Sequence, residues 1–387
     1  AHVQKTLDRL YDAASPNPDI EKDPIVSKLE RNRDRKFVFE DHSVRNIPVE
    51  EKQALLQSYL PLLSEDSACA MPIGIYLDRN SVFTFQSSLG ADITYDYQTC
   101  GLSLRCSMAE GEKKFSAAWQ RGCTRFEELK DLTDEIRASM REQAAFMRES
   151  VPVVPGKYPV VLSPEAAGVF AHESFGHKSE SDFMLSDEAM REEWQLGKAV
   201  ASPILSIAEC GEYPGSGYVP YDDEGTKARK NYLIKNGILA GRLHSGQTAA
   251  ALGENLTGNA RAIDCTFEPI VRMTTTYIEP GDQTFEQLIA PIQKGYYIKT
   301  ISHGSGMSTF TIAPRLAYEI ENGHLGKPTQ ISVITGSVFE TLGLIDGLSN
   351  ELTLLSFVTG GCGKMEQQGL PVGFGGPCVR VSEMNVQ

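Results

Sequence analysis

The stretch VPVVPGKYP at 151–159 constrains this chain more than any other segment. It puts three prolines and a glycine into nine residues. Proline lacks a backbone N–H and its ring clashes with the preceding turn, so no helix runs through such a segment. The pattern of the chain changes on either side of it. That predicts a boundary, with residues 1–150 forming an N-terminal α+β domain and residues 151–387 a β-rich C-terminal domain. A length of 387 residues accommodates two domains, and 34 glycines with 20 prolines imply many turns, which disfavours a helical bundle.

Before the break, residues 47–64 read as an amphipathic helix, and 71–122 as short alternating runs at hairpin spacing, an antiparallel sheet. Residues 128–150 then carry Leu129, Leu132, Ile136, Met140 and Met147 on one helical stripe, which predicts a helix packed on that sheet. After the break, Ser163 and Pro164 are an N-cap and first helical residue. Two Asn-Gly pairs, 236–237 and 322–323, predict tight hairpins. The fold class expected is α+β: an N-terminal antiparallel sheet with packed helices, then a β-rich domain carrying the helix that begins at Ser163.

Composition removes several function classes. The net charge is −14, which opposes the phosphate neutralisation on which nucleic-acid binding rests. The mixed run SKLERNRDRK (27–36) carries Glu30 and Asp34 among its bases and reads as a solvated face. No apolar run approaches the roughly 20 residues of a membrane span. The opening AHVQKTLDRL has neither Met nor an export signal, and a cytoplasmic location is expected. Eight scattered cysteines without a Cys-x-x-Cys pair read as reduced thiols. A serine hydrolase is disfavoured, because no Gly-x-Ser-x-Gly elbow is present.

The chemistry-bearing segment is AGVFAHESFGHKSESDF (167–183), with His172, Glu173 and His177. On a regular helix, residues four apart are separated by about 40° and residues five apart by about 140°. His172 and His177 can share a metal only if the backbone changes between them. Gly176 stands where that change is needed, and a kink or helix end there is expected. A zinc site normally takes three protein ligands and an open position. The third ligand is left open between nearby and distant groups. Glu180 and Asp182 follow closely, as ligands or as acceptors that orient the imidazoles. Cys362 sits in TGGCGKM among Gly360, Gly361 and Gly363, a turn free to approach another element. The plain alternative is a helix end with two partly exposed imidazoles and a structural turn thiol.

These residues resemble the TldD/PmbA family of zinc-dependent peptidases, in its metal-bearing TldD-like branch. The family signature His-Glu-x-x-Gly-His-x-x-Glu-x-Asp is matched by His172, Glu173, Gly176, His177, Glu180 and Asp182. YDDEGTKARKNYLIKNG, TGNARA, VRMTTTYIEPGD, YEIENG and GGCGKMEQQGLPVGFGGP follow in the family's order. The resemblance covers residue 150 to the end. It implies that His172, His177 and Cys362 bind zinc, and that Glu173 is the general base for a metal-activated water. It implies an unfolded or extended polypeptide as substrate, bound as an added strand, and a dimer with itself or with a metal-free paralogue. A slow or non-catalytic peptide-binding subunit is the alternative. Ser174, Phe175 and Lys178 depart from the family pattern near the site and are expected to alter substrate choice. His303 is a candidate transition-state stabiliser or a solvent-facing residue; Arg261 and Arg272 are structural or position substrate.

Overall fold

The computed structural model of the chain describes residues 2–14 and 17–387. Its N-terminal part is built on three antiparallel strands, Cys69–Gln86, Asp92–Glu110 and Lys113–Cys123, with the middle one central. They are long rather than short, because the ladder between the first two continues to Gln86 and Asp92 at the turn. Alternate residues of the central strand, Leu102, Leu104, Cys106 and Met108, are buried with Leu129, Leu132, Ile136, Met140 and Met147. The expected stripe is therefore core. The helix beneath it starts later than the periodicity implies, at Thr133. Leu129 closes a separate single turn, and Asp131 takes a left-handed φ of 57° before the helix proper.

The C-terminal part contains a closed ring of strands. Lys294–Gly306 pairs with Gly156–Leu162, which pairs with Val379–Val386, then Ile334–Ser337, then Thr309–Glu321, which returns to Lys294–Gly306. A second, six-stranded sheet runs from Thr353–Ser356 through Gly373–Gly376, Thr275–Ile278, Ile207–Glu209 and Asn231–Lys235 to Ile238–Leu239. The fold is thus α+β with a β-rich C-terminal region. Both Asn-Gly pairs form their hairpin turns, with positive φ at Asn236, Gly237, Asn322 and Gly323 as this turn type requires.

The proline-rich segment is drawn into sheet rather than left as a free connector. Val151 and Pro152 pair with Thr329 and Gln330, and Gly156–Leu162 is a strand with neighbours on both sides. Pro159 is accommodated because the ladder with Val379–Val386 is irregular beside it, between the Val160 and Tyr158 pairings. A further aromatic cluster joins the two parts of the chain: Phe39, Tyr95 and Tyr97 bury against Tyr218 and Tyr221. Among the described residues, no helix is long and apolar enough to cross a membrane.

The helix Pro164–Phe170 lies where the ring and the second sheet meet. Val169 approaches Gly304 of the ring, and Gly168 approaches Gly375 of the sheet. A Cβ at Gly168 would meet the Gly375 backbone, which cannot yield as a side chain can. Gly168→Ala is therefore expected to lower unfolding free energy by about 1–3 kcal/mol through overpacking. Urea denaturation checks this; an unchanged midpoint would contradict the close approach.

Candidate metal centre

The helix begins as its sequence predicts, with Ala166 N–H donating to Ser163 Oγ at 3.2 Å and Pro164 in the first turn. Past Phe170 its winding changes. Ala171–Gly176 is a π-helical turn, followed by a 3₁₀ turn at His177–Ser179. The His177 N–H bonds the His172 carbonyl, the i→i+5 bond that defines the wider turn. An extra residue per turn brings positions five apart back to one face. The two imidazole rings lie 5.1 Å apart, near perpendicular at 79°.

This corrects the expected break at Gly176. Its φ of −56° and ψ of −53° are right-handed, and the backbone neither kinks into the left-handed region nor stops there. Glycine is needed for room: a Cβ would collide with the sulfur of buried Met273. The extra residue is absorbed by winding, and the glycine lets the segment between strands Ile270–Val271 and Thr275–Ile278 close over the widened turn.

His172, His177 and Cys362 present ligand atoms that all lie within 4.8 Å of one another. His177 Nε2 is 3.4 Å from Cys362 Sγ. Cys362 does not sit on a free turn, as its glycine neighbours suggested. It opens the short buried strand Cys362–Lys364, paired with Gln367–Leu370. Gly361 is packed against the backbone of Gly369 and Leu370, and Arg272 donates to the Cys362 carbonyl at 2.8 Å. Burial alone would raise the thiol, but hydrogen bonds and charge from His172 and His177 bring it down to about 5. Burial would likewise lower His177, but Cys362 and Glu180 carry it up to about 10.

A layer of buried charge fixes this arrangement. Glu180 Oε2 lies 3.2 Å from His177 Nδ1, so Glu180 orients the ring and leaves Nε2 toward the sulfur. Lys364, two residues after Cys362, reaches Glu180 Oε2 at 3.1 Å and both Asp182 oxygens at 2.7 Å. Asp182 is an ion-pair partner and not one of the converging group. Glu180 is pulled below its ordinary range despite burial, by His177 and Lys364. The lysine was not legible as part of the site, because its link to Glu180 joins segments far apart in sequence.

His172, Glu173, His303 and Cys362 all line one cleft of about 660 Å³. Its opposite wall comes from the N-terminal part, including Arg105, Trp119 and Glu142. Glu173 lies beside Gly304. Burial raises the Glu173 carboxyl, and the charges of His172 and His177 oppose that rise. His303 is exposed on the cleft-lining strand, whereas Arg261 and Arg272 are buried and donate to backbone carbonyls, which makes both structural. Phe175 stacks on Trp194 at 4.7 Å, and Lys178 pairs with Glu193 at 2.8 Å, so these departures pack the back of the helix and do not face the cleft.

Two imidazoles and a thiolate are a donor set that fits a tetrahedral zinc-type ion, and His172 Nδ1 is buried without a hydrogen-bond partner. Residues 155–387 match the family model described as PmbA/TldA metallopeptidase C-terminal domain. A metalloprotease of Methanocaldococcus jannaschii is 30% identical over 388 residues, covering 98% of this chain and 83% of that protein. A zinc metalloprotease TldD homolog of Saccharolobus solfataricus is 30% identical over 317 residues, covering 80% of this chain and 70% of that protein. Among solved structures, TldE from Thermococcus kodakarensis superposes with a TM-score of 0.72 at 18% identity, covering 98% of this chain and 82% of that one; the fold is shared. The chain belongs to the PmbA/TldD metallopeptidase family.

Lys364→Met would leave buried Glu180 with His177 alone and the partly buried Asp182 without its cation. The expected cost is about 3–5 kcal/mol of stability. Chemical denaturation measures it, and a loss within about 1 kcal/mol, the range of an exposed pair, would contradict a buried charge frame.

Proposed function

We propose that this chain is a zinc-dependent peptidase acting on extended or unfolded polypeptide. The observation that carries the reading is the convergence of His172, His177 and Cys362 beside a cleft that His172, Cys362 and Glu173 line. Zinc in this setting supplies Lewis-acid polarisation of a carbonyl and a water of lowered pKa. Glu173 acts as general base: its carboxylate takes the proton from the water that attacks the scissile carbonyl, then returns it to the departing amine. Burial, by raising its carboxyl, brings its basicity closer to the neutral range that such a base requires. Glu180 keeps His177 in the tautomer that presents Nε2.

The unpaired edge of a strand supports the extended-substrate reading. On one side Lys294–Gly306 pairs along its length with Thr309–Glu321. On the other it pairs with a described strand only at Tyr296–Ile298. Beyond Ile298 no described strand pairs with this edge; Glu165 takes the Ile301 N–H, and the stretch from Lys299 to Gly304 lines the cleft, where a peptide can add as a strand through the remaining backbone groups. Dimerisation, with itself or with a metal-free paralogue, belongs to the same proposal. It is supported by Met71, Ile73, Leu77 and Val82, which are exposed on the edge strand Cys69–Gln86. Native mass spectrometry of the full chain at micromolar concentration should give twice the chain mass; a monomer alone would exclude self-association.

Glu173→Gln is expected to keep one zinc per chain and to lower hydrolysis of a disordered protein by about 100-fold or more. Cys362→Ser is expected to lose most of the metal. Metal analysis beside a peptide-release assay checks both. Full turnover in the first variant, or unchanged zinc in the second, would contradict the assigned roles.

A further inference from the structure

The hairpin that borders the cleft is irregular at three successive points. Its register runs Ile298 to Ala317, Thr300 to Leu316, Ile301 to Pro314 and His303 to Ala313. Lys299, Arg315 and Ser302 are each left over, one extra residue at each step. A bulge re-aims the side chain it carries, and all three of these line the cleft. Pro314 has no N–H to contribute to the ladder, which lowers the cost of the irregularity beside it.

The charge on Lys299 is matched, by Glu142 at 2.5 Å. The charge on Arg315 is not. Its guanidinium is partly buried, and it makes no hydrogen bond or ion pair with any described residue. The acid that faces it, Glu165, instead accepts from Ile301 N–H at 2.9 Å, and burial pushes the Glu165 carboxyl toward its neutral form. Arg105 enters the same cleft from the N-terminal sheet and lies near enough for its charge to act on Arg315. Among the described residues Arg105 bonds the hydroxyls of Ser103 at 3.3 Å and Thr359 at 3.0 Å and no carboxylate. Two guanidinium groups thus share a cavity with His172 and Cys362, and among the described residues neither touches a carboxylate. Glu165 acts on Arg315 through charge alone, and in a chain of net charge −14 the two guanidinium groups keep hydrogen-bonding capacity directed at the cleft.

We propose that Arg315 and Arg105 form a carboxylate-binding subsite that anchors the substrate in the cleft and determines specificity. The inference rests on the peptidase reading for the identity of the anion. A polypeptide brings carboxylates only, either at its C-terminus or on Asp and Glu side chains. The planar fork of arginine matches a carboxylate with two parallel hydrogen bonds. Neither arginine takes part in bond cleavage; they fix where along the peptide the scissile bond comes to rest.

The test is peptide binding, read separately from hydrolysis. Full-length Glu173→Gln protein with excess chelator is titrated, by fluorescence anisotropy, with four labelled peptides of one otherwise neutral sequence. One has a free C-terminus, one a C-terminal amide, one the amide with an internal Glu, and one the amide with Gln at that position. The expected result is that a carboxylate-bearing peptide binds about 10- to 100-fold tighter than its neutral counterpart. A preference for the free end or for Glu identifies which carboxylate is read. Arg315→Gln should abolish the preference, and Arg315→Lys should restore it only in part. Arg105→Gln, at an exposed position that does not threaten folding, should weaken it. Equal binding of all four peptides, no binding, or a preference that survives both glutamine substitutions overturns the subsite. Hydrolysis by the wild-type chain is measured alongside. A carboxylate preference without hydrolysis would remove the peptidase reading while leaving the subsite, and hydrolysis without a preference would do the reverse.

Discussion

One backbone hydrogen bond, from His177 N–H to the His172 carbonyl, underlies the organisation of the site. In an α-helix the same two residues would point about 140° apart. Widening one turn to π geometry puts both imidazoles on one face without ending the helix. Such turns are rare and are found mostly where function requires them. This one is held by its surroundings: Met273 closes over Gly176, Phe175 stacks on Trp194, and the Ser179 hydroxyl bonds the Gly176 carbonyl at 2.6 Å.

The second constraint is electrostatic. Cys362 reaches the histidines only because a short hairpin, remote in sequence, is tied down from two sides. Arg272 holds the Cys362 carbonyl, and Lys364 clamps onto Glu180 and Asp182. Glu180 is thereby shared between the lysine and His177. The strand that carries the thiol and the turn that carries the imidazole are cross-linked by one buried carboxylate. Removing water from these charges makes the frame rigid, and it makes any missing partner costly.

What could be read from the sequence was local. Ser163 and Pro164 marked the helix start, the two Asn-Gly pairs marked their turns, and the stripe from Leu129 to Met147 marked a buried face. Each depends on residues within a few positions of one another. Gly176 was correctly singled out but for the wrong property, since its role depends on Met273, which approaches from a segment distant in sequence. From its own neighbours Cys362 could be named as one candidate among several; the family resemblance implied its place beside the histidines, and the tertiary structure brings the three together. Lys364, the bulged Arg315 and the wall supplied by Arg105 had no local signal. A bulge is a mismatch between two strands, and neither strand shows it by itself.

The central claim is that two imidazole nitrogens and one sulfur hold a single ion. X-ray absorption at the zinc edge of the metal-loaded full chain tests it most directly. The account predicts two nitrogen scatterers at about 2.0–2.1 Å and one sulfur at about 2.3 Å, with a light atom completing four-coordination. A shell of oxygen and nitrogen with no sulfur contribution would contradict it.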